Sequence, residues 1–558
     1  MDLLMEEEVG TGESSLEEKV PAQRRVSFKP GDPVSLREVA PRSDADDDRT
    51  GDHETTDDPG KYRGRSRSEV APTVLERFLV TRERKWSVTV ASLVAAIPAF
   101  LLGLTLGYPS NALLDLTGEA TELPPEFFFS TAALSLFTSL APLCAIFGGP
   151  VGGWISDHWG RKCGLMFCGV PYLIGYLMLS YAHYSATATV FNAVLFSGRA
   201  LAGFGMGWAS AVSPVYTGEL CSAKLRGVYV NFFPVFLTTG ILFNFVLGAI
   251  DNFRYYDTSL VAVGIVALFE VLMFWLPETP RWLMAQGYAE RAEHVLLWLR
   301  GKKIGIDKEL EDMKKSLSKK KTNVWKVFRQ RRVFQPLVYL LILFFVQQMG
   351  GVNGITPFAG LILSDAGLSN PRTTSIYAVG LSGFVGLAVS IVLVDLIGRK
   401  TPLIISEIGQ FVAIVMLGIH AYITRPSLCD FSTSDAMPCN PQFQYMALVS
   451  IIGFALSFTS GANSVPYVLL AEFMPLSVRG KASGIVAAMT WGCSALFTGL
   501  YFEFREWITP WFTLWLVALV NLIGVVFIVL IIPETKGKKL EELENVFVKR
   551  PDTVETVL

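Results

Sequence analysis

The chain has 558 residues, 51% of them hydrophobic and only 18% charged, with a formal net charge of −2. Soluble domains carry nearer one quarter charged residues, so this composition excludes an ordinary soluble globular protein. The near-neutral balance likewise excludes a nucleic-acid partner, which would need a basic face against phosphates.

Residues 1–80 are polar, acidic at Glu6–Glu8 and around Asp44–Asp48, and basic around Arg63–Arg67. Such a segment cannot bury enough apolar surface to fold and is expected to be a disordered tail, with no cleavable signal peptide in it. Crossing a membrane takes about 20 mainly apolar residues in helix. Stretches of that kind lie near 87–109, 130–154, 163–183, 189–213, 228–250 and 257–276, and again near 333–357, 374–394, 401–423, 445–470, 482–503 and 510–532. The expected fold is an all-α membrane protein of twelve transmembrane helices in two six-helix bundles, 86–277 and 333–532. A basic linker, 278–332, joins them, and a tail, 533–558, follows.

The linker holds Lys319, Lys320 and Lys321, with Arg329, Arg331 and Arg332 behind them. Arg82, Arg84 and Lys85 precede span 1. Short connections after spans 2, 4, 8 and 10 carry Arg161 and Lys162, Lys224 and Arg226, Arg399 and Lys400, and Arg479 and Lys481. The positive-inside rule puts all of these, and both termini, on the cytoplasmic side of a plasma membrane or endomembrane. The opposite loops are neutral or acidic. One of them contains Cys429 and Cys439, which an oxidising exterior would allow to pair. The other five cysteines lie in or beside apolar segments as small hydrophobes. There is no CxxC, no Cys/His cluster at metal spacing, no nucleophile–base set and no phosphate loop. Neither a metal, a cofactor nor an enzymatic activity is expected.

The two halves repeat. Asp157-His-Trp-Gly-Arg161-Lys follows span 2 and Asp395-Leu-Ile-Gly-Arg399-Lys follows span 8; both read DxxGRK. Glu219 stands seven residues before Arg226, and Glu472 seven before Arg479. Pro277-Glu278-Thr279 closes span 6 and Pro533-Glu534-Thr535 closes span 12. Three matched motifs in register mean two homologous units. The acids and bases, Asp157, Arg161, Glu219, Arg226, Asp395, Arg399, Glu472 and Arg479, are expected to form salt bridges that latch helix ends and break in one state of a gate, or simply to fix packing.

Through these motifs the chain resembles the sugar porters of the major facilitator superfamily from Trp86 to Leu543. The resemblance extends to Gly198-Arg199, Gly203, Gly205 and Gly207, to Pro214-Val-Tyr216, to Pro280-Arg281-Trp282, and to Gln347-Gln348 with Asn353. Gly107-Tyr108-Pro109 is similar to the glucose- and trehalose-facilitator subgroup. The resemblance implies facilitated transport of a sugar or polyol bound at mid-membrane. It places Gln347, Gln348, Asn353, Phe358, Thr459, Tyr467, Thr490, Trp491 and Ser494 at the substrate. Physically, paired amides in an apolar run are costly unless they face a wet cavity or bond another helix, and a tryptophan offers a sugar a flat apolar surface.

Departures from the family pattern narrow this. Pro234 stands at a usual glutamine, Gly383 at an asparagine, Thr459 at a glutamate, Thr490 and Ser494 at asparagines, and Pro357 and Phe358 at paired tyrosines. Each removes polar reach, which leaves a less polar cargo or a solute sensor as alternatives. Proton-coupled members carry an aspartate where Pro109 stands, so uncoupled uniport is expected, with Glu270 the one mid-helix acid that would complicate it. The C-terminal Glu555-Thr-Val-Leu558 fits a PDZ-domain ligand, Arg24-Arg25-Val-Ser27 a basophilic kinase site, and no N-glycosylation sequon occurs.

Overall fold

The computed structural model describes residues 85–117, 127–222, 225–301, 306–318, 327–424, 443–475 and 478–536. The N-terminal tail, the Cys429–Cys439 connection, the lysine run and the PDZ-type terminus lie outside the described residues.

Eleven described helices are long and apolar enough to cross a membrane. Spans 1 to 3 are Trp86–Leu116, Thr131–Trp159 and Arg161–Tyr184; spans 5 and 6 are Val228–Gly248 and Tyr255–Phe274. Spans 7 to 12 are Arg331–Ile355, Pro371–Val394, Lys400–Ile423, Gln444–Phe473, Arg479–Phe504 and Pro510–Ile531. Span 4 is the 33-residue helix Ala188–Leu220, which glycines and Arg199 make less apolar than the others. With it the count is the expected twelve. Within the linker, helices cover Pro280–Ala285, Ala289–Arg300 and Ile306–Ser318.

Several helices outrun their apolar stretches. Span 1 continues through Pro109 to Leu116 instead of stopping near 109. A proline inside a helix frees the carbonyl four residues back, here that of Thr105, and Arg199 Nη1 donates to that oxygen at 2.8 Å. The break is filled from span 4, so the helix goes on.

Glycine sets the closest crossings. A Cβ on Gly203 or Gly207 of span 4 would run into the carbonyl oxygens of Ala141 and Ala145 on span 2, and one on Gly148 of span 2 into that of Phe204. Where lipid gives no hydrophobic drive, such backbone proximity is what holds helices together.

Three helices carry π turns: Gln348–Val352 in span 7, Ile376–Leu381 in span 8 and Phe458–Ala462 in span 10. The first includes Gly351 at φ +113°, the loosened turn expected at Gly350-Gly351. π turns leave backbone groups free for other partners and mark functional sites.

The spans alternate in direction, so one end of the bundle bears the basic connections and the other the turns between spans 1 and 2, 5 and 6, and 7 and 8. Near this second end the halves close on each other. Gly360 N–H donates to Ser110 Oγ at 2.9 Å and Thr138 Oγ1 to the Thr498 carbonyl at 3.3 Å. Gly380 packs on Leu242 and Gly499 on Ser139.

Candidate functional site

Span 7 supplies the centre of the site. Its π turn rotates Gln347, Gln348 and Asn353 into one hydrogen-bonded relay. Ser494 Oγ of span 11 donates to Asn353 Oδ1 at 2.8 Å. Asn353 Nδ2 donates to both the carbonyl and Oε1 of Gln348 at 2.9 Å. Gln348 Nε2 donates to Gln347 Oε1 at 3.2 Å, and Gln347 Nε2 ends the chain on the Ala462 carbonyl at 2.6 Å, in the π turn of span 10. All four side chains are buried. Three helices thus share one string of amides, each of which keeps unused donor or acceptor capacity.

The remaining expected site residues divide. Thr459 and Thr490 are buried and donate to Ala455 and Val486 of their own helices. The Thr459 side chain closes on Gly386 of span 8, and a Cβ at Gly383 would lie 3.7 Å from Thr459 and 3.9 Å from Thr238 of the first half. A side-chain carbon at 383 would thus fit at ordinary contact distance, and it is Gly386, closed on by Thr459 and the Leu456 carbonyl, that lets spans 8 and 10 approach. Trp491 is half-buried and packs against the core of the first half. Tyr467 is half exposed, edge-on to Phe344 with ring centres 4.8 Å apart. Phe358 is not at an open cavity wall: it is buried, stacked on Tyr501 at 4.3 Å and edge-on to Phe502, part of the closed end.

At the basic end the expected acid–base residues form two near-copies of one cluster. In the first half Arg161 bridges Asp157 at 3.0 Å and Glu219 at 3.2 Å, and Glu219 accepts from the Thr279 hydroxyl at 2.7 Å. In the second half Arg399 bridges Glu472 at 3.1 Å; the side chain of Asp395 lies outside the described residues. Arg226 and Arg479 depart from expectation. They bind the carbonyls of Gly218 and Met474 instead of Glu219 and Glu472. Glu219 is held by Arg161 and Thr279 and Glu472 by Arg399 through Oε1 alone, its Oε2 having no hydrogen-bond partner, while each helix end leaves carbonyls that a guanidinium can cap. These bridges hold together ends within one half.

The organisers of both clusters were visible only as repeated letters. Glu278 accepts backbone N–H groups of Arg161 at 2.9 Å, Lys162 at 3.0 Å and Thr279 at 2.7 Å. Glu534 accepts those of Arg399 at 3.1 Å, Lys400 at 3.0 Å, Thr535 at 2.9 Å and Lys536 at 2.9 Å. Each carboxylate satisfies and charge-complements a helix N-terminus. Gly160 at φ +106° and Gly398 at φ +100° open the turns to admit them; a Cβ would strike the carboxylate in either. Their environments differ. Burial pushes the Glu278 carboxyl above the usual glutamate range despite its N–H donors. At Glu534 burial acts the same way, but the four backbone donors outweigh it and hold the carboxyl below that range.

The linkage signs are therefore opposite. A lowered folded value stabilises above the ordinary value of 4.5 and is lost as pH falls through the folded value; a raised one is favourable below 4.5 and lost as pH rises through the folded value. Melting of Glu534→Gln relative to the unmodified protein should worsen between pH 4 and pH 7. The same difference for Glu278→Gln should improve over that range. Parallel pH trends for the two would refute the assignment.

Two further carboxyls lie midway along membrane-length helices. Glu270 of span 6 fits against Gly169 of span 3. Glu407 of span 9, which belongs to no motif, is buried at 3% exposure with Oε2 unpartnered and turned toward Gly524 of span 12. Glu270 is thus not the one mid-helix acid. Among the described residues no group of three metal-binding side chains occurs.

This architecture, two homologous six-helix bundles with polar groups buried between membrane-length helices, is that of a major facilitator transporter. It is similar to the inward-open structure of the xylose transporter XylE from E. coli, with a TM-score of 0.67, 24% identity, and 82% of this chain and 99% of that one covered. The proton:xylose symporter XylE bound to 6-bromo-6-deoxy-D-glucose matches at a TM-score of 0.64, 24% identity, and 83% and 99% coverage. Residues 92–547 match the family described as sugar (and other) transporters, and the chain belongs to that family. It is a transporter and not an enzyme. Among curated relatives, the facilitated trehalose transporter Tret1 of Apis mellifera ligustica is 29% identical over 463 residues, covering 82% of this chain and 87% of that protein. Tret1 of Drosophila willistoni is 31% identical over 468 residues, covering 82% of this chain but only 51% of its own length.

Proposed function

We propose that the chain is a facilitative uniporter for a hexose or a related small polyhydroxylated solute, working by alternating access between its two halves. The relay Ser494–Asn353–Gln348–Gln347 suits such a cargo, because amides both donate and accept as hydroxyls do. By the positive-inside rule the basic end and both termini would face the cytoplasm, and the end where Gly360 meets Ser110 the opposite side.

The observation that carries the uncoupled mode is the setting of Arg199. Its guanidinium, buried in the first half, donates to the carbonyl that Pro109 freed on Thr105, and to that of Phe137 at 3.4 Å. It lies over the rings of Tyr108 at 5.6 Å and Phe137 at 5.4 Å. The charge is compensated by groups that do not change protonation, so no proton need be taken up or released there in the cycle.

Uptake into proteoliposomes across a panel of hexoses, pentoses, disaccharides and polyols tests the reading. Downhill flux of at least one hydroxylated solute, unchanged by an imposed proton gradient, is expected. Accumulation against a gradient driven by protons would instead favour a symporter working through Glu407, whose buried unpaired oxygen is the observation behind that second reading. Pro109→Asp should place a titratable group beside Arg199 and make flux fall or rise at least about threefold between pH 5.5 and 7.5. A pH profile identical to the unmodified protein would count against the role given to Pro109.

A further inference from the structure

The closed end holds an ionic cluster that the repeated motifs do not include and that crosses between the halves. Asp115, one residue from the end of span 1, has a side chain with 0% exposure. Among the described residues, donors from both halves converge on it. Arg254, at the start of span 6, donates from Nη1 to Asp115 Oδ1 at 3.4 Å, and the Tyr255 N–H donates to Oδ2 at 3.1 Å. Both belong to the first half. Another donor, Arg372 Nη2, comes from the start of span 8 in the second half. Arg372 Nη1 also donates to the Phe253 carbonyl at 3.2 Å, a second bond across the same divide.

We infer that Asp115 and Arg372 are the gating pair at this end of the transporter, positioning residues that hold the halves together here and part when this end opens. The inference rests on the alternating-access reading. Its physical ground is that a carboxylate out of contact with water needs its charge partners. When the halves separate at this end, Arg372 and its two bonds leave with the second half, and Asp115 keeps Arg254 and Tyr255. The open state is thus tolerated without a stranded charge, while the closed state gains an additional charge-assisted pair. The described basic-end bridges do not supply this term, since each joins residues of one half. The two arginines act on the same oxygen, yet only one of them spans the gate. That difference gives the test.

Hydrogen exchange of the full-length protein in lipid nanodiscs, without substrate, should be compared for the unmodified chain, Arg372→Gln, Arg254→Gln and Arg372→Lys. Arg372→Gln is expected to raise exchange about tenfold or more in segments 110–116 and 359–365, a shift of about 1.4 kcal/mol in the opening equilibrium. Exchange at the opposite end, in 228–234 and 481–487, should fall, which loss of local structure alone would not produce. Arg254→Gln should change these segments less than about threefold, and Arg372→Lys should restore most of the protection. The inference is overturned if both arginine variants act alike, if Arg372→Gln leaves the closed end unchanged, or if exchange rises equally where spans 2 and 4 cross. No cargo enters the measurement, so absence of sugar flux would remove the transport proposal and leave this result standing on its own.

Discussion

Gly207→Ala should cost about 3 kcal/mol or more and remove most of the folded, monodisperse protein recovered from membranes, with a melting temperature well below that of the unmodified chain. The added methyl would meet the carbonyl oxygen of Ala145, part of a rigid backbone, and not the tip of a side chain that can swing away. Gly203 faces Ala141, and Gly148 faces Phe204, by the same geometry in the same crossing. Spans 2 and 4 must therefore separate along their length if any of the three gains a side chain. In lipid that crossing is held by packing and not by expulsion of water, so a wider separation directly weakens the association. Gly153, on the same span 2 as Gly148, supplies the control: a Cβ there meets nothing within 4 Å, and Gly153→Ala should melt within about 0.5 kcal/mol of the unmodified protein. Equal tolerance of alanine at 153 and 207, read by size-exclusion profile and thermal melt, would show that the crossing is not close-packed.

Gln347→Ala is expected to cut substrate flux about tenfold to a hundredfold per folded molecule, while Ser494→Ala lowers it less than about threefold. Deleting one uncharged hydrogen-bond partner from a desolvated site costs about 1–3 kcal/mol, and each 1.4 kcal/mol is about tenfold in rate. Gln347 stands at the far end of the relay, joined to Gln348 by its carbonyl and to span 10 by its amide nitrogen. Its removal strands the Gln348 donor and frees the Ala462 carbonyl, so the substrate loses two oriented groups at once. Ser494 begins the relay and only anchors Asn353, whose amide still holds Gln348. Counterflow in proteoliposomes, normalised to folded protein, separates the outcomes. If Gln347→Ala lowers the melting temperature but leaves normalised flux intact, the relay is interhelical glue and the cargo binds elsewhere.

Much of this was legible in the chain. Apolar runs of membrane length located the spans, and the doubled DxxGRK and Pro-Glu-Thr motifs exposed two related halves. Paired amides at Gln347 and Gln348 marked residues that the structure links into one hydrogen-bonded relay. Other features were not legible, for reasons of geometry. Asp115 lies beyond the expected end of span 1 near 109, and the Arg199 bond to the Thr105 carbonyl explains why the helix continues to it. Phe358 counted as a site residue by its place in a motif, yet its ring is sealed beneath Tyr501 and Phe502. Arg226 and Arg479 matched acids by spacing, but a bridge needs two side chains aimed at one point, and these guanidiniums turn to the carbonyls of Gly218 and Met474.

By itself the sequence determined the membrane setting, the number of spans, the twofold repeat and the family, because these rest on hydrophobic length and local motifs that hold wherever the helices pack. Tertiary structure alone decided which acids meet which bases, where the π turns rotate the amides, and which end of the bundle is shut. Those depend on distances between residues up to 360 positions apart, such as Thr138 and Thr498, which local motifs do not encode.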